Sequence, residues 1–160
     1  MVGDVVSLNR FKKTTTIAIA IGILFLFIGI FLLKTSSDEL DQTIYLLLSE
    51  ELDVDYTVNK IKVSGSFIDI GAEWGVTLAE GSKILAGEVK GFQIADKSDL
   101  DYFKKVVRKN LHVQNDLEDY MLYRAEMPLG KDTICETKPC NIYILRKTGE
   151  KEVFIGVYIN

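Results

Sequence analysis

The chain has 160 residues, a net charge of −4, and hydrophobic side chains at 48% of its positions. This length is typical of one domain, and the apolar residues are too concentrated in one run for a wholly soluble protein. Residues 35–160 carry fifteen basic and twenty-two acidic side chains, and this negative field disfavours binding to nucleic acid or to anionic lipid headgroups.

An uncharged, proline-free run over residues 14–33 predicts a transmembrane helix, which we assign to 14–34. A helix of this length spans roughly 30 Å, at about 1.5 Å per residue, which matches the hydrocarbon core of a bilayer. A cleaved signal peptide is the alternative, but its apolar region is usually about 7–15 residues long and ends at an A-x-A-like site. The run is longer and lacks that site, which favours an uncleaved signal-anchor embedded in the lipid bilayer.

Flanking charge predicts the orientation of this helix. Three basic residues precede the apolar run and one follows it: Arg10, Lys12, Lys13 and Lys34. Basic residues are retained on the cytoplasmic side of a membrane. We therefore expect a single-pass protein of the cell (inner) membrane, with residues 1–13 as a cytoplasmic tail. Residues 35–160 would form an extracytoplasmic domain, periplasmic or extracellular.

Small residues recur on one stripe of the predicted membrane helix, at Ala18, Gly22 and Gly29. Such stripes let two helices approach each other closely. The pattern is consistent with a homo-oligomer, or with packing against another membrane subunit.

Apolar residues at helical spacing predict an amphipathic helix over about 38–52. These residues are Leu40, Ile44, Leu47 or Leu48, and Leu52. Neither glycine nor proline separates this helix from the membrane span, so a single continuous helix is an alternative interpretation.

The spacing of apolar residues changes to that of strands after residue 59. Residues 61–71 predict a strand, and the GAEWG stretch at 71–75 predicts a turn. A short strand is expected at 76–78, and an interrupted strand at 83–95.

Residues 98–112, SDLDYFKKVVRKNLH, give the clearest helix signal of the chain. Ser98 is the predicted N-cap, and acidic residues at the start with basic residues at the end complement the helix dipole. The buried stripe is expected to consist of Leu100, Phe103, Val107 and Leu111.

The chain ends in a predicted strand over 119–127 and a hairpin of NIYILRK and KEVFIGVYIN. In the last strand the valine and isoleucine side chains lie on one face, and Phe154 and Tyr158 lie on the other. Apolar groups on both faces indicate either a strand covered on both sides or one face left for a partner. Together the elements predict an α+β fold, with two helices on a mostly antiparallel sheet of about five or six strands.

Cys135 and Cys140 are the only cysteines of the chain. A disulfide is the expected state of such a pair outside the cytoplasm. A structural zinc site needs four ligands, and a thioredoxin-type redox site needs C-x-x-C spacing. We therefore predict a structural disulfide, with free thiols or a metal or redox role as alternatives.

Other chemistry-bearing residues have ordinary interpretations. His112 is expected to interact with the last carbonyls of the second predicted helix. The carboxylates of residues 50–55 fail the glycine and glutamate positions of a calcium-binding EF-hand loop, so we expect them to be solvated. Trp74 is expected in the core, although an exposed tryptophan would be a binding anchor.

The sequence contains no recognisable catalytic motif, phosphate-binding loop, cofactor motif or metal-ligand set. We therefore expect a non-enzymatic, protein-binding domain that serves as an accessory or assembly subunit of an envelope or membrane complex. Candidate contact residues are Trp74, Phe154 and Tyr158. One alternative is an envelope hydrolase that uses a carboxylate pair from Asp69, Glu73 and Glu80. Another is a module that binds a small ligand around Trp74.

Overall fold

The structure is a computed structural model, and it describes Ile21, Ile23, residues 38–65 and 70–82, Ile84, Val89 and residues 91–159. Among these residues no helix is long and apolar enough to cross a membrane. The predicted cytoplasmic tail, the membrane helix apart from Ile21 and Ile23, and the stripe of Ala18, Gly22 and Gly29 lie outside the described residues. Residues Glu39–Asn160 form one compact unit, to which the following description applies.

Six described strands form one sheet in which every pairing is antiparallel. They are β1 (Tyr56–Gly65), β2 (Ile70–Leu78), β3 (Gln93–Ile94), β4 (Met121–Met127), β5 (Cys140–Arg146) and β6 (Glu152–Ile159). Their order across the sheet is β1-β2-β6-β5-β4-β3. With a helix on each face, this arrangement confirms the predicted α+β fold of two helices on an antiparallel sheet.

The first helix, α1, covers residues 38–51, and its last part, Leu46–Glu51, is π-helical. The backbone N–H of Leu52 donates to the carbonyl of Leu47 over 3.1 Å, the five-residue spacing of a π-helix. The extra residue in this turn lets both Leu47 and Leu48 lie fully buried. The predicted apolar stripe of this helix is therefore confirmed. The sequence predicted that either Leu47 or Leu48 would be buried, and both are.

The second helix, α2, covers Lys97–Asn110 and lies on the opposite face of the sheet from α1. Its N-cap is Asp96, whose side chain accepts a hydrogen bond of 2.9 Å from the backbone of Asp99. The prediction of Ser98 as N-cap was wrong by two residues, because the extended backbone of Asp96 comes before the first helical turn. Phe103, Val107 and Leu111 are buried and Leu100 is partly buried, as predicted.

The predicted turn at GAEWG was wrong, because these residues form the middle of β2. A Cβ atom on Gly71 would overlap Cδ1 of Tyr158, so this glycine makes room for an aromatic ring on β6. Among the described residues of the interrupted strand predicted over 83–95, only Gln93–Ile94 form a strand, and Ile84 is helical.

Two hydrophobic clusters lie on opposite faces of the sheet. We call them the α1-side core, which includes Val153, Ile155 and Val157, and the α2-side core, which includes Phe154. Strand β6 is thus covered on both faces, which was one of the two predicted outcomes for its apolar pattern.

The sulfur atoms of Cys135 and Cys140 lie 2.11 Å apart, which confirms the prediction of a disulfide-bonded pair. Both side chains are fully buried in the α1-side core. The backbone N–H of Ile134 donates to the hydroxyl of Thr43 over 3.1 Å and links the cysteine loop to α1.

Candidate functional site

Strand β1 lies at one edge of the sheet, and most of its side chains are exposed. It is ten residues long, and among the described strands it pairs only with β2. Every side chain from Thr57 to Val63 is exposed. The outer edge of β1 therefore presents backbone N–H and C=O groups that no described strand pairs.

A β-bulge arranges the side chains of β1 into two rows. The register with β2 shifts between Val58 and Lys60, so that Asn59 is the extra residue. The side chain of Asn59 donates a hydrogen bond of 2.7 Å to the hydroxyl of Thr77 on β2. Because of the extra residue, Val58 has the same orientation as Ile61, although three positions separate them.

The first row is apolar and lies on the α1 side of the sheet. Val58, Ile61 and Val63 are 41%, 47% and 50% exposed. Their partners on β2 are Val76, Trp74 and Ala72, all of which belong to the α1-side core. Since paired residues of adjacent strands share a face, the three exposed side chains extend the apolar face of the sheet into solvent.

The second row is basic and lies on the α2 side of the sheet. Lys60 is paired with Gly75, and Lys62 is paired with Glu73. Strand β1 contains no acidic residue, so it carries two positive charges in a domain whose net charge is −7. The first strand is therefore apolar on one face and basic on the other.

The contact residues predicted from the sequence are buried or partly buried and do not form an exposed binding surface. Trp74 and Phe154 have no exposed area, and Tyr158 is partly buried against the α2-side core. The expectation that Trp74 lies in the core is confirmed. Its indole N–H is buried, and no described residue accepts a hydrogen bond from it.

Glu73 is a fully buried carboxylate in the middle of β2. Its Oε1 accepts a hydrogen bond of 2.7 Å from the hydroxyl of Tyr158, and its Oε2 accepts one of 3.2 Å from Nδ2 of Asn110. Burial and the neighbouring carboxylate strongly raise the pKa of the Tyr158 hydroxyl, which stays protonated and donates. This arrangement satisfies a buried charge with hydrogen bonds and ties β2 to β6 and α2.

Of the carboxylates considered for a hydrolase, the two that the structure describes, Glu73 and Glu80, do not form a pair. Glu80 is exposed and paired with Lys151 over 2.5 Å, and the hydrogen bond from this lysine lowers the pKa of Glu80. Glu73 is enclosed on the sheet face, and Asp69 lies outside the described residues.

A cleft of about 600 Å³ opens at the opposite edge of the sheet. It is lined mainly by residues of β3, the start of α2 and β4, including Asp96, Asp99, Arg124 and Glu126. The guanidinium of Arg124 donates to Asp99 over 3.3 Å and to Asn141 over 3.1 Å. Its charge is thus already engaged within the chain, and Trp74 is not among the lining residues.

The acidic residues considered for metal binding, and the histidine considered for acid–base chemistry, are exposed to solvent. Glu50, Glu51, Asp53 and Asp55 are exposed, as expected, and the described part of the chain holds no group of three or more residues suited to a metal ion. His112 is exposed just after α2, in a left-handed conformation with φ of 52°.

No family model, curated protein or solved structure matches this chain. The candidate site is therefore defined by the geometry of β1 alone. The strand predicted over 61–71 contains Ile61, Lys62 and Val63 but begins after Val58 and Lys60, and none of these five residues was predicted as a contact residue. The alternation of apolar and basic residues in VNKIKV indicates these two rows. The bulge at Asn59 interrupts the alternation, so that Val58 and Ile61 do not have the even spacing of residues on one face of a strand.

Proposed function

We propose that the protein is a membrane-anchored, extracytoplasmic protein-binding domain, an accessory or assembly subunit of an envelope or membrane complex. The observation that carries this proposal is the exposed apolar row of Val58, Ile61 and Val63 on the ten-residue edge strand β1. Through this surface the domain would bind another protein of the same membrane or envelope.

A long edge strand promotes aggregation unless it is protected or binds a partner. Exposed edges template pairing with other chains, and proteins usually shorten, charge or cover them. The opposite edge of the sheet ends in the two-residue strand β3. In contrast, β1 combines full length with partly exposed valine and isoleucine side chains, which is typical of a recognition edge.

The site of this proposal differs from the expected one. The terminal strand β6 is covered on both faces, so it offers no apolar face to a partner. The interaction is therefore assigned to the edge strand β1. The enzymatic and small-ligand alternatives gain no support from Glu73 or Trp74, which are both fully buried.

The membrane anchor and the extracytoplasmic location remain part of the proposal. They are supported by the apolar run over 14–33 and by the basic residues that precede it. A disulfide-bonded pair of buried cysteines is also typical of an oxidising compartment.

Site-specific crosslinking in intact cells tests the proposal. A photoreactive amino acid at Ile61 or Val63 is expected to capture one defined membrane or envelope protein, whereas the same group at Tyr102, which is 68% exposed on α2, should not capture it. The captured protein would then be identified, purified and titrated with the full chain in detergent. Ile61→Asp should weaken this binding at least about tenfold, since it places a charge in an apolar contact. Equal capture from Tyr102, or unchanged binding by Ile61→Asp, would refute the assignment.

A further inference from the structure

We propose that the partner binds as an added strand, with acidic side chains on one face and apolar side chains on the other. This inference rests on the proposed function and specifies the chemistry of the partner. The added strand would pair with the outer edge of β1 and become the seventh strand of the sheet.

The backbone of β1 provides a regular template after the bulge. From Lys60 to Gly65 the register with β2 is continuous. In such a strand alternate residues direct their N–H and C=O groups away from the existing neighbour. An extended segment of about six residues can therefore pair there along its whole length.

The two rows of β1 determine which side chains the added strand should carry. On the α1 side it would lie beside Ile61 and Val63, where apolar, β-branched residues gain most from the contact. On the α2 side it would lie beside Lys60 and Lys62, where carboxylates form cross-strand ion pairs. Alternation of acidic and apolar residues satisfies both rows.

A second copy of this chain fits the middle of the same edge poorly. In an antiparallel pair of β1 strands related by a twofold axis at Ile61, Lys60 lies opposite Lys62 of the copy. If the axis passes through Lys60 or Lys62, that lysine lies opposite the same lysine of the copy. In a parallel pair with the same register, both lysines lie beside their counterparts. Like charges directly opposite each other destabilise a strand pair. The lysines therefore act against self-pairing while they favour an acidic partner.

Two synthetic peptides test the inference, EVEVEVE and KVKVKVK, both with blocked ends, titrated against the full chain in detergent micelles. The acidic peptide is expected to bind roughly tenfold or more tightly than the basic one, because two cross-strand ion pairs replace two repulsive pairs. The double variant Lys60→Glu/Lys62→Glu should reverse this preference. The control Lys97→Glu/Lys105→Glu changes the net charge equally at exposed positions of α2 and should leave it unaltered.

Backbone pairing is tested with an acidic peptide that is N-methylated at alternate residues on its hydrogen-bonding edge. Loss of its binding supports strand addition, since the methyl groups remove the amide donors and block that edge while every side chain is kept. Equal affinity for the acidic and basic peptides, no binding of either, or a chain that self-associates through Ile61 would overturn the inference. If the peptide results are negative but a photoreactive group at Ile61 still captures a protein in cells, the proposed function stands and only the inference of an added acidic strand fails. If nothing is captured, both the proposed function and the inference fail.

Discussion

The hydroxyl of Tyr158 on β6 donates a hydrogen bond of 2.7 Å to Glu73 on β2, whose carboxylate is fully buried. Asn110 at the end of α2 donates to the other carboxylate oxygen over 3.2 Å. One buried charge therefore connects two strands and the helix that covers them. Glu73 lies on the strand next to β1, where it is paired with Lys62.

The first prediction concerns the hydroxyl of Tyr158. Tyr158→Phe keeps the ring but removes one of the donors to a buried carboxylate, so we expect the free energy of unfolding to fall by about 2–3 kcal/mol. Urea denaturation of the full chain in detergent, followed by tryptophan fluorescence, measures this loss. Tyr102→Phe is the matched control, since Tyr102 is 68% exposed. A loss below about 0.5 kcal/mol would show that Glu73 does not depend on this hydrogen bond.

The second prediction concerns alkaline pH. Burial raises the pKa of Tyr56, Tyr120 and Tyr143, and burial beside Glu73 raises the pKa of Tyr158 most. A pKa that is higher in the folded than in the unfolded protein gives stability that is fully present below the unfolded value, about 10, and is lost as the pH rises above it. The urea midpoint should therefore decline above about pH 10. Tyr158→Phe should show a shallower decline, and an equal slope in both proteins would argue against a protonated Tyr158.

Periodic elements of this fold could be predicted from the sequence because their spacing depends on local burial. The apolar stripes of both helices and the two-sided pattern of β6 follow this rule. The GAEWG stretch could not be predicted, because its first glycine is required by the ring of Tyr158, which lies far away in the sequence. The candidate site was missed for a related reason, since a single bulged residue, Asn59, changes the phase of β1.

The third prediction concerns a close packing contact between β6 and α2. A Cβ atom on Gly156 would lie 2.5 Å from Cε2 of Phe103 and 2.8 Å from Cε2 of Tyr158. Gly156→Ala should therefore reduce the free energy of unfolding by about 1–3 kcal/mol through overpacking. Gly75→Ala is the control, because its nearest neighbour would be Cβ of Lys60 at 3.6 Å, an ordinary contact. Equal effects of the two substitutions in a thermal or urea unfolding series would contradict the packing explanation.

The fourth prediction concerns the disulfide between Cys135 and Cys140. In the chain-entropy description, closing a loop of this length stabilises the folded state by about 2 kcal/mol. Reduction should lower the urea midpoint accordingly. Because both sulfur atoms are fully buried, a polyethylene-glycol maleimide should react only after denaturation and reduction together. Modification of the denatured, unreduced protein isolated from cells would show that the bond does not form there.

The fifth prediction concerns the lysines of β1 as protection against self-association. Replacing both with valine, Lys60→Val/Lys62→Val, makes the edge strand apolar on both faces and removes its charge. Long, apolar, uncharged edges pair with one another, so this variant should form higher oligomers at concentrations where the wild type does not. Sedimentation velocity of the full chain in detergent measures the change. The control Lys97→Val/Lys105→Val removes the same charge from exposed positions of α2 and should sediment like the wild type. If both variants associate equally, net charge rather than the edge of β1 keeps the chains apart. If neither associates, some feature other than the lysines protects the edge.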